Sequence, residues 1–236
     1  MTAPSSSQIK KIRSLRDKKF RDEYGLFVVE GEKMVCEVLS SSLEVEEVWR
    51  KEDIGEAAMS RISLFTTPSP VLAVVRIPPL LSSDVREGLC LALDAVRDPG
   101  NMGTIIRLSE WFGVDTIYLS EDCVDIYNPK VIQSTMGAIF RVRTCVADIP
   151  ELCRRFSESG MAVFGTFLDG ESIYSRPLPE NALVVMGNES NGISPSVAAE
   201  VSGRLLIPSF GGSRSESLNV AVATAVTLSE FRRRTL

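Results

Sequence analysis

Beyond residue 88 the chain alternates short apolar runs with helix-length segments, and this alternation limits the fold more than any other feature of its 236 residues. The run from Leu89 to Val96 is apolar almost throughout, as a strand buried on both faces requires. A helix is expected over 103–112, with Ile105, Leu108 and Phe112 on one stripe. The pattern continues as strand 116–119, helix 129–139, strand 142–146, helix 150–157, strand 162–167 and strand 182–187. It ends with helix 195–201, strand 204–208 and a helix over 217–233. Such alternation predicts an α/β fold, a mainly parallel sheet covered by helices. Ligands in these sheets bind at the carboxyl ends of the strands.

The first part of the chain reads differently. A basic helix over about 8–20 is followed by a strand over 25–29, a helix over 32–39 and a strand over 45–49. A short strand at 63–65 and a helix starting at Pro68-Ser69-Pro70 complete this part. Ile77-Pro78-Pro79 and Ser82-Ser83-Asp84 look like a linker. Two domains are therefore expected, 1–84 and 85–236.

Composition narrows the chemistry. A hydrophobic fraction of 44% with 24% charged residues is that of an ordinary globular protein. No apolar run approaches the length that spans a bilayer, and MTAPSSSQIKK does not read as a secretory signal, so the cytoplasm is the expected compartment. The five cysteines form no C-x-x-C pair, which points to buried thiols and not to a zinc site. The absence of histidine excludes Ser-His-Asp and Cys-His catalysis and removes the usual general base. Net charge is −5, yet Lys10, Lys11, Arg13, Arg16, Lys18, Lys19 and Arg21 crowd together, and Arg232, Arg233 and Arg234 lie near the end. Local basic patches on an acidic protein can bind phosphate backbones, although a solvated helix face has the same appearance.

Three strand-to-helix loops concentrate polar residues. The first runs from Asp94 through Asp98-Pro99-Gly100-Asn101-Met102-Gly103 to Arg107. It is neither a G-x-G-x-x-G dinucleotide fingerprint nor a Walker A loop. The second is Gly187-Asn188-Glu189-Ser190-Asn191-Gly192-Ile193-Ser194, and the third runs from Ile207-Pro208 through Gly211-Gly212 to Ser217-Leu218-Asn219. Each also has a purely structural reading as a turn before a helix, with Ser194 as a cap and with Ser213 and Glu216 at capping-box spacing.

In this order and spacing the loops resemble the three motifs of the SpoU-type RNA methyltransferases. Asn101 and Arg107 match the first motif, Gly187 and Glu189 the second, and Ile207, Pro208, Ser217, Leu218 and Asn219 the third. The segment from Ser14 to Arg21, with Leu26 to Gly31, resembles the ribosomal-protein-like RNA-binding domain that precedes many of these catalytic domains. The resemblance implies a deep trefoil knot in the second domain and a homodimer formed through it. The final helix, apolar almost all round from Leu218 to Leu228, suits that interface.

The resemblance further implies S-adenosylmethionine as cofactor, held near Thr166, Gly187, Ile207, Pro208, Leu218 and Asn219, and methyl transfer to a ribose 2′-hydroxyl without metal. Asn101, Arg107, Glu189, Ser217 and Asn219 would form the catalytic set, and the basic segment from Lys10 to Arg21 would bind RNA. Ribosomal RNA is preferred over transfer RNA. Arginine stays protonated in proteins, so Arg107 would either lose its proton transiently in a dry site or clamp a phosphate, the proton then passing to that phosphate or to Glu189. A non-catalytic knotted RNA-binding protein and a base-methylating knotted enzyme are the alternatives. A nicotinamide oxidoreductase lacks its fingerprint.

Overall fold

A computed structural model describes residues 3–210 and 217–233. In chain order the elements are α1 (Ser6–Ser14), α2 (Lys18–Tyr24), β1 (Leu26–Glu30), α3 (Glu32–Leu39), β2 (Val45–Arg50), α4 (Lys51–Ile54), α5 (Glu56–Ile62) and β3 (Val71–Arg76). There follow β4 (Leu89–Leu93), α6 (Pro99–Trp111), β5 (Thr116–Leu119), α7 (Pro129–Thr135), a 3-10 turn (Ala138–Phe140), β6 (Arg143–Val146) and α8 (Ile149–Glu158). The last are β7 (Ala162–Ser172), β8 (Ala182–Met186), α9 (Pro195–Ala198), β9 (Gly203–Leu206) and α10 (Val220–Arg233). They form two units, Met1–Pro79 with Asp125–Arg141, and Leu80–Val124 with Val142–Leu236.

The first unit is a three-stranded antiparallel sheet in the order β1-β3-β2, covered on both faces. Because side chains alternate along a strand, Leu26, Val28, Leu72 and Val74 pack with Ile9, Ile12, Met59 and Ile62 on one face. Phe27, Val29, Ala73 and Val75 pack with Met34, Val35, Val38 and Ile132 on the other. Ile132, with Tyr127, Ile139 and Phe140 beside it, comes from the late segment Asp125–Arg141, which a single cut at residue 84 leaves in the other domain.

Several local expectations fail here for physical reasons. The basic helix is two helices. α1 opens with a capping box, Ser5 Oγ accepting from Gln8 N and Gln8 Oε1 from Ser5 N. It stops because the buried Arg21 guanidinium donates to the carbonyl oxygens of Leu15 and Arg16, at 2.8 and 2.7 Å, which continuing helix would have used. The strand expected at 63–65 is a loop hung on Glu30, whose carboxylate accepts from Leu64 N and Ser63 Oγ, both at 2.7 Å. The helix expected from Pro68 is absent, and its place is taken by β3. Val71-Leu72-Ala73-Val74-Val75 is rich in β-branched residues and buried on both faces as the central strand.

The second unit is a six-stranded sheet in the order β6-β5-β4-β8-β7-β9, with every pairing parallel. The chain builds outward from β4 to β6 on one side and fills β7, β8 and β9 on the other. The central neighbours β4 and β8 therefore mark a topological switch point, where the loops leaving their carboxyl ends face one another. α10 packs against α6. α6 begins at Pro99, with Asp98 as its N-cap accepting from Asn101 N at 2.8 Å, four residues ahead of the expected start.

Candidate active site

The loops after β4 and β8 are bonded to each other by their own main chain and polar side chains. Asp94 N donates to Met186 O at 2.9 Å, and Asp94 Oδ2 accepts from Ser194 N at 2.6 Å. The second loop then folds back on itself through paired bonds between Asn188 and Gly192, at 2.9 and 3.0 Å. That turn fixes Gly187, because a Cβ there would lie 2.2 Å from the Gly192 carbonyl carbon. Asn188 Oδ1 accepts from the amides of Ser190 and Asn191, and its Nδ2 reaches across to Ala95 O at 2.7 Å.

Glu189 is placed by this turn against the start of the first loop's helix. Its carboxylate accepts from Arg97 N at 3.3 Å, Asp98 N at 3.1 Å and Asn101 Nδ2 at 3.1 Å, with Asn188 Nδ2 alongside at 3.3 Å. Burial alone would raise its pKa. The hydrogen bonds from Asn101 and from the amides of Glu189, Asp98 and Arg97 outweigh burial and hold it below the usual carboxylate value. Asn101 Oδ1 in turn accepts from Asn219 Nδ2 at 2.9 Å. Asn219 Oδ1 caps α10, taking the amides of Ala221 and Val222 at 2.9 and 3.2 Å. One chain of side-chain hydrogen bonds, Asn219 to Asn101 to Glu189, thus joins all three polar loops.

The other expected site residues lie around this chain. Thr166 ends the regular part of β7, its Oγ1 donating to Val185 O at 3.3 Å, and β7 then bulges before Glu171. Ile207 and Pro208 follow β9 and are half-buried, whereas Ser217 and Leu218 are exposed before the α10 cap. The capping-box pair Ser213 and Glu216, the glycines Gly211 and Gly212, and Arg234 lie outside the described residues.

Arg107 is not part of the chain. Since α6 starts early, Arg107 sits more than two turns into it, where one turn was expected. Its side chain is exposed and has no hydrogen-bond or ion-pair partner among the described residues. Asn188 and Asp94, whose bonds set the loop geometry, were not among the expected site residues. The glycine-bracketed second loop was the only signal for Asn188.

The basic segment divides. Lys10, Lys11, Arg13, Arg16, Lys18 and Lys19 are exposed. Arg21 is only 2% exposed and pairs with Asp125 at 2.5 Å. It holds α1 and Asp125 together and does not present a charge to phosphate, which corrects its expected RNA-binding role. Of the cysteines, Cys90, Cys145 and Cys153 are buried, and burial raises their pKa values to about 12, 11 and 12.

Comparison with known proteins matches two successive stretches of the chain. Residues 88–229 match the family described as SpoU rRNA Methylase family, and residues 6–74 match the MRM3-like substrate binding domain. The chain is 30% identical to the 23S rRNA (guanosine(2553)-2'-O)-methyltransferase RlmP of Bacillus subtilis (strain 168), over 96% of each chain. A putative RNA methyltransferase of the TrmH family from Porphyromonas gingivalis superimposes with a TM-score of 0.91 at 41% identity, covering 98% of this chain and 99% of that one. An AdoMet-bound rRNA methyltransferase from Sinorhizobium meliloti gives 0.89 at 28% identity, covering 100% of this chain and 98% of that one.

Proposed function

The chain belongs to the SpoU rRNA methylase family, and from that premise we propose that it methylates a ribose 2′-hydroxyl of ribosomal RNA with S-adenosylmethionine as donor. The observation that carries this reading is the hydrogen-bond chain through Asn101, Glu189 and Asn219, which ties three separate loops together at the carboxyl ends of the sheet. Half-buried Ile207 and Pro208 and exposed Leu218 offer apolar surface for an adenine ring beside the ends of β7 and β8, where Thr166 and Gly187 sit. These residues would hold the cofactor, which supplies the methyl group as a sulfonium when bound.

The side chains divide the remaining work. Glu189 is a positioning residue: both its oxygens are engaged and its pKa is lowered, so it is a poor proton acceptor. Asn101 keeps one amide hydrogen and one lone pair beyond its two bonds, enough to orient the attacking hydroxyl. Asn219 holds Asn101, and Ser217 lies next to the cap. Arg107, a free planar guanidinium, suits a two-point clamp on an RNA phosphate. The cofactor held there would supply the methyl carbon of its carbon–sulfur bond to the 2′-oxygen, and the hydroxyl proton would leave with the phosphate or solvent as acceptor. Much of the rate then comes from holding the oxygen in line with that bond.

The first unit binds the RNA through its exposed cations. The exposed apolar residues Trp111 on α6 and Val222 on α10 support a homodimer formed through these helices and the knotted region. None of the described helices is long and apolar enough to cross a membrane, and the cytoplasm is the proposed site of action. Ribose-methylation mapping of ribosomal RNA from a strain lacking the gene tests the function. One 2′-O-methyl mark should disappear and return with the wild-type gene. An unchanged ribosomal map, or calorimetry in which the purified protein fails to bind S-adenosylmethionine, overturns the reading.

A further inference from the structure

Helix α2 carries two aromatic rings whose place in the proposed function is open. Phe20 and Tyr24 are four residues apart and share one helix face. Their centroids are 6.2 Å apart and their planes differ by 17°. Tyr24 is 38% exposed, although a ring with an apolar face is normally drawn inward. Lysine ammonium groups stand over both rings, Lys11 at 5.6 Å from the Tyr24 centroid and Lys19 at 5.7 Å from that of Phe20. Of the neighbouring acids, Asp22 pairs with Lys18 at 2.6 Å and Glu46 with Arg76, while Asp17 and Glu23 have no ion-pair partner among the described residues. Lys11 reaches Glu46 only at 3.9 Å.

We propose that the Phe20–Tyr24 face of α2, with Lys11 and Lys19, seats an unstacked base of single-stranded RNA. The proposal rests on the reading that the first unit binds RNA and adds where and how. A nucleotide offers the two partners this face lacks. Its base supplies a π-face for the tyrosine ring, and its phosphate supplies an anion for the ammonium that now covers the ring. Base–aromatic stacking tolerates any sequence and requires bases free of a duplex. The face therefore discriminates loops and bulges from paired stems, which cations alone do not. An acidic peptide would engage the lysines but would have no use for the exposed ring.

The test uses the full-length protein, a fluorescently labelled oligouridine and a labelled RNA duplex, with anisotropy followed across a range of KCl concentrations. Tyr24→Leu keeps the bulk and removes the aromatic face. It should weaken oligouridine binding about tenfold at unchanged salt slope and leave duplex binding as it was. Tyr24→Phe should bind like the wild type. Lys11→Ala with Lys19→Ala should flatten the oligouridine salt slope by about 0.7 per lysine. Circular dichroism melting checks that each variant folds. A folded Tyr24→Leu protein that binds oligouridine as tightly as wild type overturns the base seat. If the lysine variant also binds normally, RNA binding by the first unit falls with it. If only the tyrosine is silent, the broader reading stands.

Discussion

Arg21 and Glu30 in the first unit, and Arg107 and Glu189 in the second, are used in opposite ways. In the first, Arg21 is buried against Asp125 and two carbonyl oxygens, and Glu30 is buried against Ser63 and Leu64. In the second, Glu189 collects amide donors where the loops after β4 and β8 meet, and Arg107 stands free on α6. The carboxylates diverge accordingly. Burial dominates at Glu30 and raises its pKa, whereas the donor set prevails at Glu189 and lowers it. A carboxylate buried deeply enough that desolvation outweighs its donors closes a scaffold. One that faces many donors stays charged and keeps a partner such as Asn101 oriented.

The arginines give the sharpest way to break this comparison. Arg21→Ala leaves Asp125 without its cation and strips two carbonyl oxygens of donors. Urea unfolding should record a loss of about 3–5 kcal/mol, as for one half of a buried ion pair. Arg107→Ala should change stability by no more than about 0.5 kcal/mol, yet lower the single-turnover methylation rate by about 100-fold. Arg107→Lys should recover little of that rate if the guanidinium clamps a phosphate at two points. An Arg107→Ala protein that methylates within about threefold of wild type would make Arg107 a surface residue, the missing contribution being under about 1 kcal/mol.

The carboxylates come next. Glu189→Gln places an amide among groups that already donate, so the Asn101 contact must shift. A misplacement on the scale of 1 Å costs about 100-fold in rate, and that is the expected loss in single-turnover methylation. Glu30→Gln should be tolerated, because Ser63 Oγ can turn from donor to acceptor. The pH dependence carries the sign. Glu30 has a raised pKa in the folded state, so its favourable contribution is complete below the unfolded value, near 4.5, and fades as pH rises through the folded one. The stability of Glu30→Gln relative to wild type should therefore climb from acid toward neutral pH. Glu189 runs the other way: its contribution is present above about 4.5 and is lost as pH falls through its lowered value. Chemical denaturation across this range decides it, and parallel curves for wild type and Glu30→Gln would remove the assigned role of burial.

The two units also differ in how much of them the sequence discloses. In the second, β4, β5 and β8 are buried on both faces, so Leu89–Leu93 and Ala182–Met186 stand out as unbroken apolar runs, and β5 has its expected bounds, Thr116–Leu119. The three loops were legible from their residue types and order. Their bonding was not, since Asn101 meets Glu189 across 88 positions and Asn219 across 118. In the first unit α3 was legible at Glu32–Leu39, but α4, α5 and β3 were not. Its architecture depends on contacts such as Arg21 to Asp125, 104 positions apart, and no local periodicity records them. The same distance explains why Arg21 read as one more surface cation, and why Asp125–Arg141 read as part of the second domain.

Backbone conformation supplies the smallest test. Among the described residues two that are not glycine have positive φ, Met136 at 52° and Ala95 at 57°, one in each unit. Met136 ends α7 in the left-handed region, where helices usually place glycine because a Cβ crowds the following carbonyl. Its side chain is 47% exposed, so little packing is lost by removing it. Met136→Gly should raise stability by about 0.5–1 kcal/mol and leave methylation unchanged. Ala95 lies in the first polar loop, its amide bonded to Ser120 Oγ at 2.9 Å and its carbonyl to Asn188 at 2.7 Å. Strain at such a place holds a geometry. Ala95→Gly relieves it but also frees the loop that carries the Asn188 contact, so any gain in stability should come with a several-fold loss of methylation rate. If both glycine variants are equally active, the loop is held by its hydrogen bonds alone and its conformation plays no part in the site.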